Sequence, residues 1–310
     1  MRIVFFGTSE FALPSLKALV SSKHEVAAVV TQSDRKKGRG LKVGFSSIKK
    51  LALENFLVIY QPEDIKNDDF IKDISKYSPQ LLIVVSYGKI LPKEILDIPQ
   101  NCALNLHASL LPKYRGAAPV NWAIINGEKE TGASIIEMNE YMDRGPILAS
   151  QKVKIEAEDT AGSLSRRLAV LGADILLKAV DSIDKSELSP LFQDEKSATY
   201  APKLKKENGR IDWSKPSDEL YNFIRGMDPQ PGAFTYIDGK LLKVWKVNPL
   251  SMIKRYSPGE IIEVKKDQGL VVSAGKGVLL ITELQIEGKK RMGAVEFIRG
   301  YSLAPGRKLR

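Results

Sequence analysis

The chain is poor in the residues that make metal and disulfide proteins. Its 310 residues include one cysteine, Cys102, and two histidines, His24 and His107. One cysteine cannot close an internal disulfide. Two histidines and one thiol supply no ligand cluster of metal-binding spacing, so no metal is expected. Long apolar runs are missing too: none approaches the ~20 residues of a membrane helix, so no membrane partner is expected. Met1-Arg-Ile-Val-Phe-Phe-Gly enters a strand pattern directly, without the h-region of a signal peptide, and a cytoplasmic protein of bacterial type is expected. The first turn lacks G-x-G-x-x-G, which removes a nicotinamide cofactor. No G-x-S-x-G elbow is found, which disfavours a Ser-His-Asp hydrolase. Internal repeats and low-complexity tracts are absent as well.

What is present is a globular composition, 43% hydrophobic and 27% charged. A chain of this length predicts about two domains. The net charge of +10 is unevenly spread: from Pro190 onward 22 Lys and Arg face 14 Asp and Glu, which leaves only +2 for the rest. A basic appendage on a near-neutral domain suits a polyanionic partner, although a merely solvated surface would look the same.

Periodicity predicts strands at 2–6, 26–31, 57–60 and 81–85, alternating with helices after Gly7 and at 45–55 and 67–77. The first helix has Thr8 or Ser9 as its expected cap. Strand-helix alternation argues for a Rossmann-like α/β domain with a mostly parallel sheet. A helix at 119–126, strands at 131–138 and 146–155 and a helix at 160–181 complete it. Between strand two and the next helix, Gln32-Ser-Asp-Arg-Lys-Lys-Gly-Arg-Gly-Leu-Lys reads as a mobile basic loop. Residues 187–207 have no period and read as a basic linker between a 1–186 catalytic domain and a 208–310 domain. In the latter, short strands at 233–237, 241–248, 259–264, 269–273 and 277–286 with glycine turns suggest a small OB-like β-barrel. A helix at 217–225 precedes them and one at 293–299 closes the domain.

The stretch richest in chemistry is 101–145. In Cys102-Ala-Leu-Asn-Leu-His, strand alternation sends Asn105 and His107 to one face and Cys102, Leu104 and Leu106 to the other. Asp143 follows in a glycine-punctuated loop. An amide, an imidazole and a carboxylate suit addition to a carbonyl. A lone strand histidine is more often a hydrogen-bonded core residue than a catalyst, but Ser109-Leu-Leu-Pro-Lys-Tyr-Arg-Gly-Ala-Ala-Pro then leaves the strand as an aperiodic loop, where open α/β sheets bind ligands. Ser86-Tyr-Gly-Lys-Ile-Leu-Pro ends an earlier strand in the same way. Its Ile90 and Leu91 could floor an apolar slot, or Leu91 could simply belong to the core.

The run HASLLPKYRGAAPVNWAI, with the later MDRG, closely resembles the folate-dependent formyltransferases, in the branch that acts on charged initiator tRNA. The resemblance covers the whole chain. It implies transfer of a formyl group from 10-formyltetrahydrofolate to the α-amine of methionyl initiator tRNA by a monomer. Its catalytic set falls on Asn105, His107 and Asp143. Its folate pocket falls on Ser109, Leu110, Leu111 and Pro112, and on Tyr87, Gly88, Ile90 and Leu91. Its tRNA contacts fall on Arg39, with Arg35, Lys36, Lys37 and Lys42 beside it, and on Lys203, Lys205 and Lys206 of the linker. Two departures from the family pattern are Ser33, where proline is usual, and Pro146, where a second acid usually follows Asp-x-Gly. Rival readings are transfer to a nucleotide-sugar amine or glycinamide ribonucleotide, hydrolysis of the folate, and RNA binding by an inert catalytic domain. The basic second half argues against small acceptors, and the intact Asn-His-Asp set argues against inertness.

Overall fold

Alternation of apolar side chains builds the first sheet. The computed structural model describes residues 1–37, 42–185, 187, 189–250, 256–301 and 303–310. Its first strands are β1 (Arg2–Gly7), β2 (Glu25–Val30), β3 (Arg35–Lys37), β4 (Lys42–Gly44) and β5 (Ile59–Tyr60). They are followed by β6 (Leu81–Val85), β7 (Cys102–His107), β8 (Glu130–Glu137) and β9 (Ile147–Lys154). Seven of these form one sheet in the order β5-β2-β1-β6-β7-β8-β9. β5, β2, β1, β6 and β7 pair in parallel, and β8 turns antiparallel against β7. Ile3, Phe5, Leu81, Ile83, Leu104 and Leu106 enter one core cluster, and Val4, Phe6, Leu82, Val84 and Ala103 enter another. Both faces are therefore covered, as a parallel sheet requires. Each fully buried large apolar side chain contributes about 1.5–3 kcal/mol.

Strand order reverses direction between β1 and β6, and ligands of open α/β sheets bind beyond the carboxyl ends at such a point. Thr8 and Ser9, expected to cap the first helix, do neither. Ser9 precedes a short 3-10 turn, Glu10–Ala12, without a capping bond. Its hydroxyl donates to Ser86 Oγ at 2.7 Å and that of Thr8 to the Tyr87 carbonyl at 3.1 Å. Both hydroxyls are spent tying together the loops at the switch point. At the flanks of the basic loop β3 and β4 pair antiparallel, Arg35 opposite Gly44. Arg39 lies outside the described residues.

Contacts divide the chain into two units, Met1–Pro119, Glu130–Val153 and Ser165–Ala201 against Val120–Lys129, Lys154–Leu164 and Pro202–Arg310. The second unit carries an antiparallel sheet of β10 (Ala233–Ile237), β11 (Lys240–Leu250), β12 (Ile261–Lys265), β13 (Gly269–Ser273), β14 (Val278–Ile286) and β15 (Met292–Gly293). Its order is β10-β11-β14-β13-β12, with β15 on β14. Leu220, Ile224 and Met227 of the helix Ser217–Met227 fill its core beside Leu242, Val244 and Leu284. The C-terminal tail serves both edges of this sheet. Arg310 exchanges backbone hydrogen bonds with Tyr236 of β10, while Ile261 of β12 donates to Arg307 and Leu309 donates to Gly259. The tail thus satisfies strand edges that would otherwise stay open, and it is how the expected barrel-like domain joins its ends.

Candidate active site

β7 delivers Asn105 and His107 on the face opposite Leu104 and Leu106, as its alternation predicts. His107 is buried, with 6% of its side chain exposed. Its Nε2 lies 2.9 Å from the Tyr114 carbonyl, which can only accept, so Nε2 carries a hydrogen. Its Nδ1 faces Asp143 Oδ2 at 3.5 Å. Both ring nitrogens therefore face oxygen atoms.

Asp143 reaches this point from the loop between β8 and β9, with φ of 55°, the left-handed region that aspartate tolerates better than most residues. Its Oδ2 accepts from the Gly116 N–H at 2.8 Å, and its Oδ1 accepts a long bond of 3.4 Å from Asn105 Nδ2. The three groups expected to act together thus converge. Distances of 3.4 and 3.5 Å leave them loosely engaged, as is common before substrate binds. In this loop the Pro146 carbonyl accepts from Glu137 N at 3.0 Å.

Close behind the set lies a residue that the sequence offered only as a loop cation. Arg115 is buried, with 1% of its side chain exposed, and forks onto Glu195 at 2.9 and 2.8 Å. Hydrogen bonding to Glu195 raises the guanidinium further and draws the Glu195 carboxyl below the usual range. An arginine among small residues, Arg-Gly-Ala-Ala-Pro, was the available signal. Its partner is eighty positions away, and nothing local announces it.

The two loops read as a folate pocket follow adjacent parallel strands, β6 and β7. In the first, the Tyr87 ring is buried edge-on against Phe6, its hydroxyl pushed up to about 12 by burial. The Tyr87 carbonyl accepts from Thr8 and from Gln32 Nε2. Gly88 takes φ of 85°, where a side chain would be strained. The suggested slot is divided: Leu91 is in the core and Ile90 is 71% exposed. In the second loop, Ser109 donates to the Lys113 carbonyl at 2.6 Å and Leu111 packs on Ile136 and Ile147. Leu110 lies against Gly132, where a Cβ would meet it at 2.5 Å, and the Pro112 carbonyl accepts from Thr199 N.

Of the residues read as tRNA contacts, Arg35, Lys36, Lys37 and Lys42 have their backbone in the β3–β4 pair. Lys203, Lys205 and Lys206 are exposed and belong to the second unit. Among the described residues no group of three or more His, Cys, Asp or Glu side chains gathers to hold a metal, and no helix is long and apolar enough to cross a membrane.

The family model described as formyl transferase matches residues 1–180, and that of the formyl transferase C-terminal domain matches 203–302. Methionyl-tRNA formyltransferase of Caldanaerobacter subterraneus subsp. tengcongensis is 45% identical over 307 residues, covering 99% of both chains. That of Acetivibrio thermocellus is 46% identical over 310 residues, covering 100% of this chain and 99% of its own. Among solved structures, WlaRD, a sugar 3N-formyl transferase crystallised in the presence of dTDP and 5-N-formyl-THF, shares the fold. Its TM-score is 0.68 at 20% identity, covering 94% of this chain and 99% of that one. The chain belongs to the formyl transferase family, among the methionyl-tRNA formyltransferases.

Proposed function

We propose that this protein transfers the formyl group of 10-formyltetrahydrofolate to the α-amine of methionyl initiator tRNA, giving the formylated initiator for translation. The observation that carries the reading is the convergence of Asn105, His107 and Asp143 beyond the carboxyl end of β7. An α-amine titrates near ~7.7–8.0 even when free, so a large fraction is already nucleophilic near neutrality and no strong base is needed. The barrier lies in assembling the partners and in the charge that grows on the formyl oxygen. Asn105 Nδ2 and His107 Nδ1–H supply donors for that oxygen. Asp143 orients the His107 ring and accepts the proton leaving the amine; as the bond from the formyl carbon to the folate nitrogen breaks, that proton is returned to the departing nitrogen and tetrahydrofolate leaves. Such a donor is generally worth ~2.7–4 kcal/mol of barrier.

The folate brings the formyl carbon, and the residues present fit it. Two loops end neighbouring strands at the switch point, Gly88 turns one of them at positive φ, and Ile90 offers an exposed apolar side chain. Tyr87, Gly88, Ile90 and Leu91 with Ser109, Leu110, Leu111 and Pro112 would hold it. In this reading residues 1–186 carry transfer, and the 187–207 linker and the 208–310 domain, with most of the surplus charge, meet tRNA. Lys203, Lys205 and Lys206 are exposed for that purpose, and Arg39 with its neighbouring cations grips the acceptor end. The protein acts as a cytoplasmic monomer.

One experiment separates this reading from its rivals. Labelled formyl-folate is offered charged initiator tRNA, uncharged tRNA, or water alone as acceptor. Label entering only the charged tRNA supports formyl transfer to the methionyl amine. Formate released in water identifies a hydrolase, and tRNA retention without turnover identifies a binding protein.

A further inference from the structure

Asp143 is the one member of the site that no strand holds. Its loop is fixed by a side chain fifty positions downstream, Gln193. The Gln193 Nε2 donates to the Asp143 carbonyl at 2.8 Å and to the Gly145 carbonyl at 2.7 Å. Its Oε1 accepts from Arg115 Nε at 3.1 Å and Nη2 at 2.8 Å. Both amide hydrogens and both lone pairs are thus committed. The orientation is forced as well, because a flipped amide would set donors against the guanidinium and oxygen against two carbonyls. Arg115 in turn is locked onto Glu195. Its own neighbours complete the circuit: the Tyr114 carbonyl receives His107 Nε2–H and the Gly116 N–H holds Asp143 Oδ2.

We propose that Gln193, clamped by Arg115 and Glu195, is a positioning residue that sets the Asp143 carboxylate against His107 and Asn105. A segment read from sequence as a charged linker thereby becomes part of the working site. The proposal rests on the formyl-transfer reading for its kinetic consequence, but its geometric consequence stands apart.

The test uses the full chain with Gln193→Leu and Gln193→Glu. The leucine variant removes every bond. The glutamate variant keeps the Arg115 partnership and the fold but loses both donors to the loop. Misplacement of a reacting group by about 1 Å costs on the order of a hundredfold. Gln193→Glu is expected to lose that factor in kcat with KM for both substrates within about twofold and a cooperative unfolding transition retained at a modestly lower Tm. The second readout is the Gly116 amide resonance, which is expected to move in the direction produced by Asp143→Asn. Wild-type kcat in Gln193→Glu, or a Gly116 amide that stays in place in either folded variant, overturns the proposal. Should the wild-type chain transfer no formyl group to charged tRNA, the functional reading fails and the Gly116 amide alone decides the positioning.

Discussion

Replacing Gly145 by alanine should damage catalysis while leaving the fold standing. A Cβ on residue 145 would lie 1.6 Å from the Glu137 carbonyl oxygen and 2.9 Å from its carbon. Such contacts are not found below 3.0 Å, so one side must retreat by about 1.4 Å. Glu137 cannot easily do so, because it ends β8 in register with Leu104 of β7. The Asp143 loop is the side that moves, and it carries with it the Gly116–Asp143 bond of 2.8 Å and the two carbonyls held by Gln193. A displacement of this size at a reacting group is worth about a hundredfold in rate, or about 2.7 kcal/mol of barrier. The stability loss is limited to one or two hydrogen bonds, about 0.5–1.5 kcal/mol each. Steady-state formyl transfer to charged tRNA, measured beside thermal unfolding, checks both halves. A Gly145→Ala protein with wild-type kcat would refute the claim that this close approach places Asp143. A protein that fails to fold would assign the glycine to stability instead.

Asn105→Ala, His107→Ala and Asp143→Ala are each expected to cut kcat at least about a hundredfold while still folding, and a near-normal rate in any one removes that residue from the set. The Glu195 carboxyl is held below its usual value of 4.5 by its bonds to Arg115, so it stabilises the native state above that pH and the contribution is lost as acid carries the pH through the lowered value. Urea unfolding of Glu195→Gln between pH 5 and 3 should accordingly fall less steeply than wild type, and identical slopes would remove the pair from the acid response. Burial, aided by Glu137, pushes the Cys102 thiol up to about 12. Ellman's reagent at pH 8 should therefore react slowly with the native chain and quickly after unfolding, and equal rates would deny the burial. Arg39→Ala should weaken tRNA acceptance far more than folate binding and reduce the steepness of the salt dependence; equal loss of both would move the basic loop away from the acceptor.

Much of the fold was legible because burial imposes period. The all-apolar run 81–85 could only be a strand covered on both faces, and β6 has those bounds; β10 and β13 likewise match their turn-bounded runs. Alternation around Asn105 and His107 was readable for the same reason. What escaped was everything settled by partners distant in sequence. The β3–β4 pair is made of four cations, Val43 and Gly44, without an apolar period, so its backbone pairing left no trace in the pattern. Thr8 and Ser9 have the chemistry of caps, but their hydroxyls are taken by Tyr87 and Ser86, some eighty residues on. Arg115 and Gln193 gave no local sign of each other, and the tail that joins β10 to β12 has no strand signature at all.

The commitments of each atom assign the proton in the proposed reaction. Nε2–H of His107 is committed to the Tyr114 carbonyl, so Nδ1 is the ring nitrogen that faces the reacting groups. Asp143 Oδ2 is already engaged by the Gly116 N–H, whereas Oδ1 has only the 3.4 Å contact from Asn105. Oδ1 is the freer oxygen, and it is the one to which an incoming amine surrenders its proton. Asn105 has a second amide hydrogen beyond the one aimed at Asp143, so it serves the formyl oxygen without releasing the carboxylate. Donors on a rigid strand and an acid on a clamped loop divide the work. The strand meets charge that must be stabilised without movement, and the clamped loop holds the carboxylate in place to take the proton.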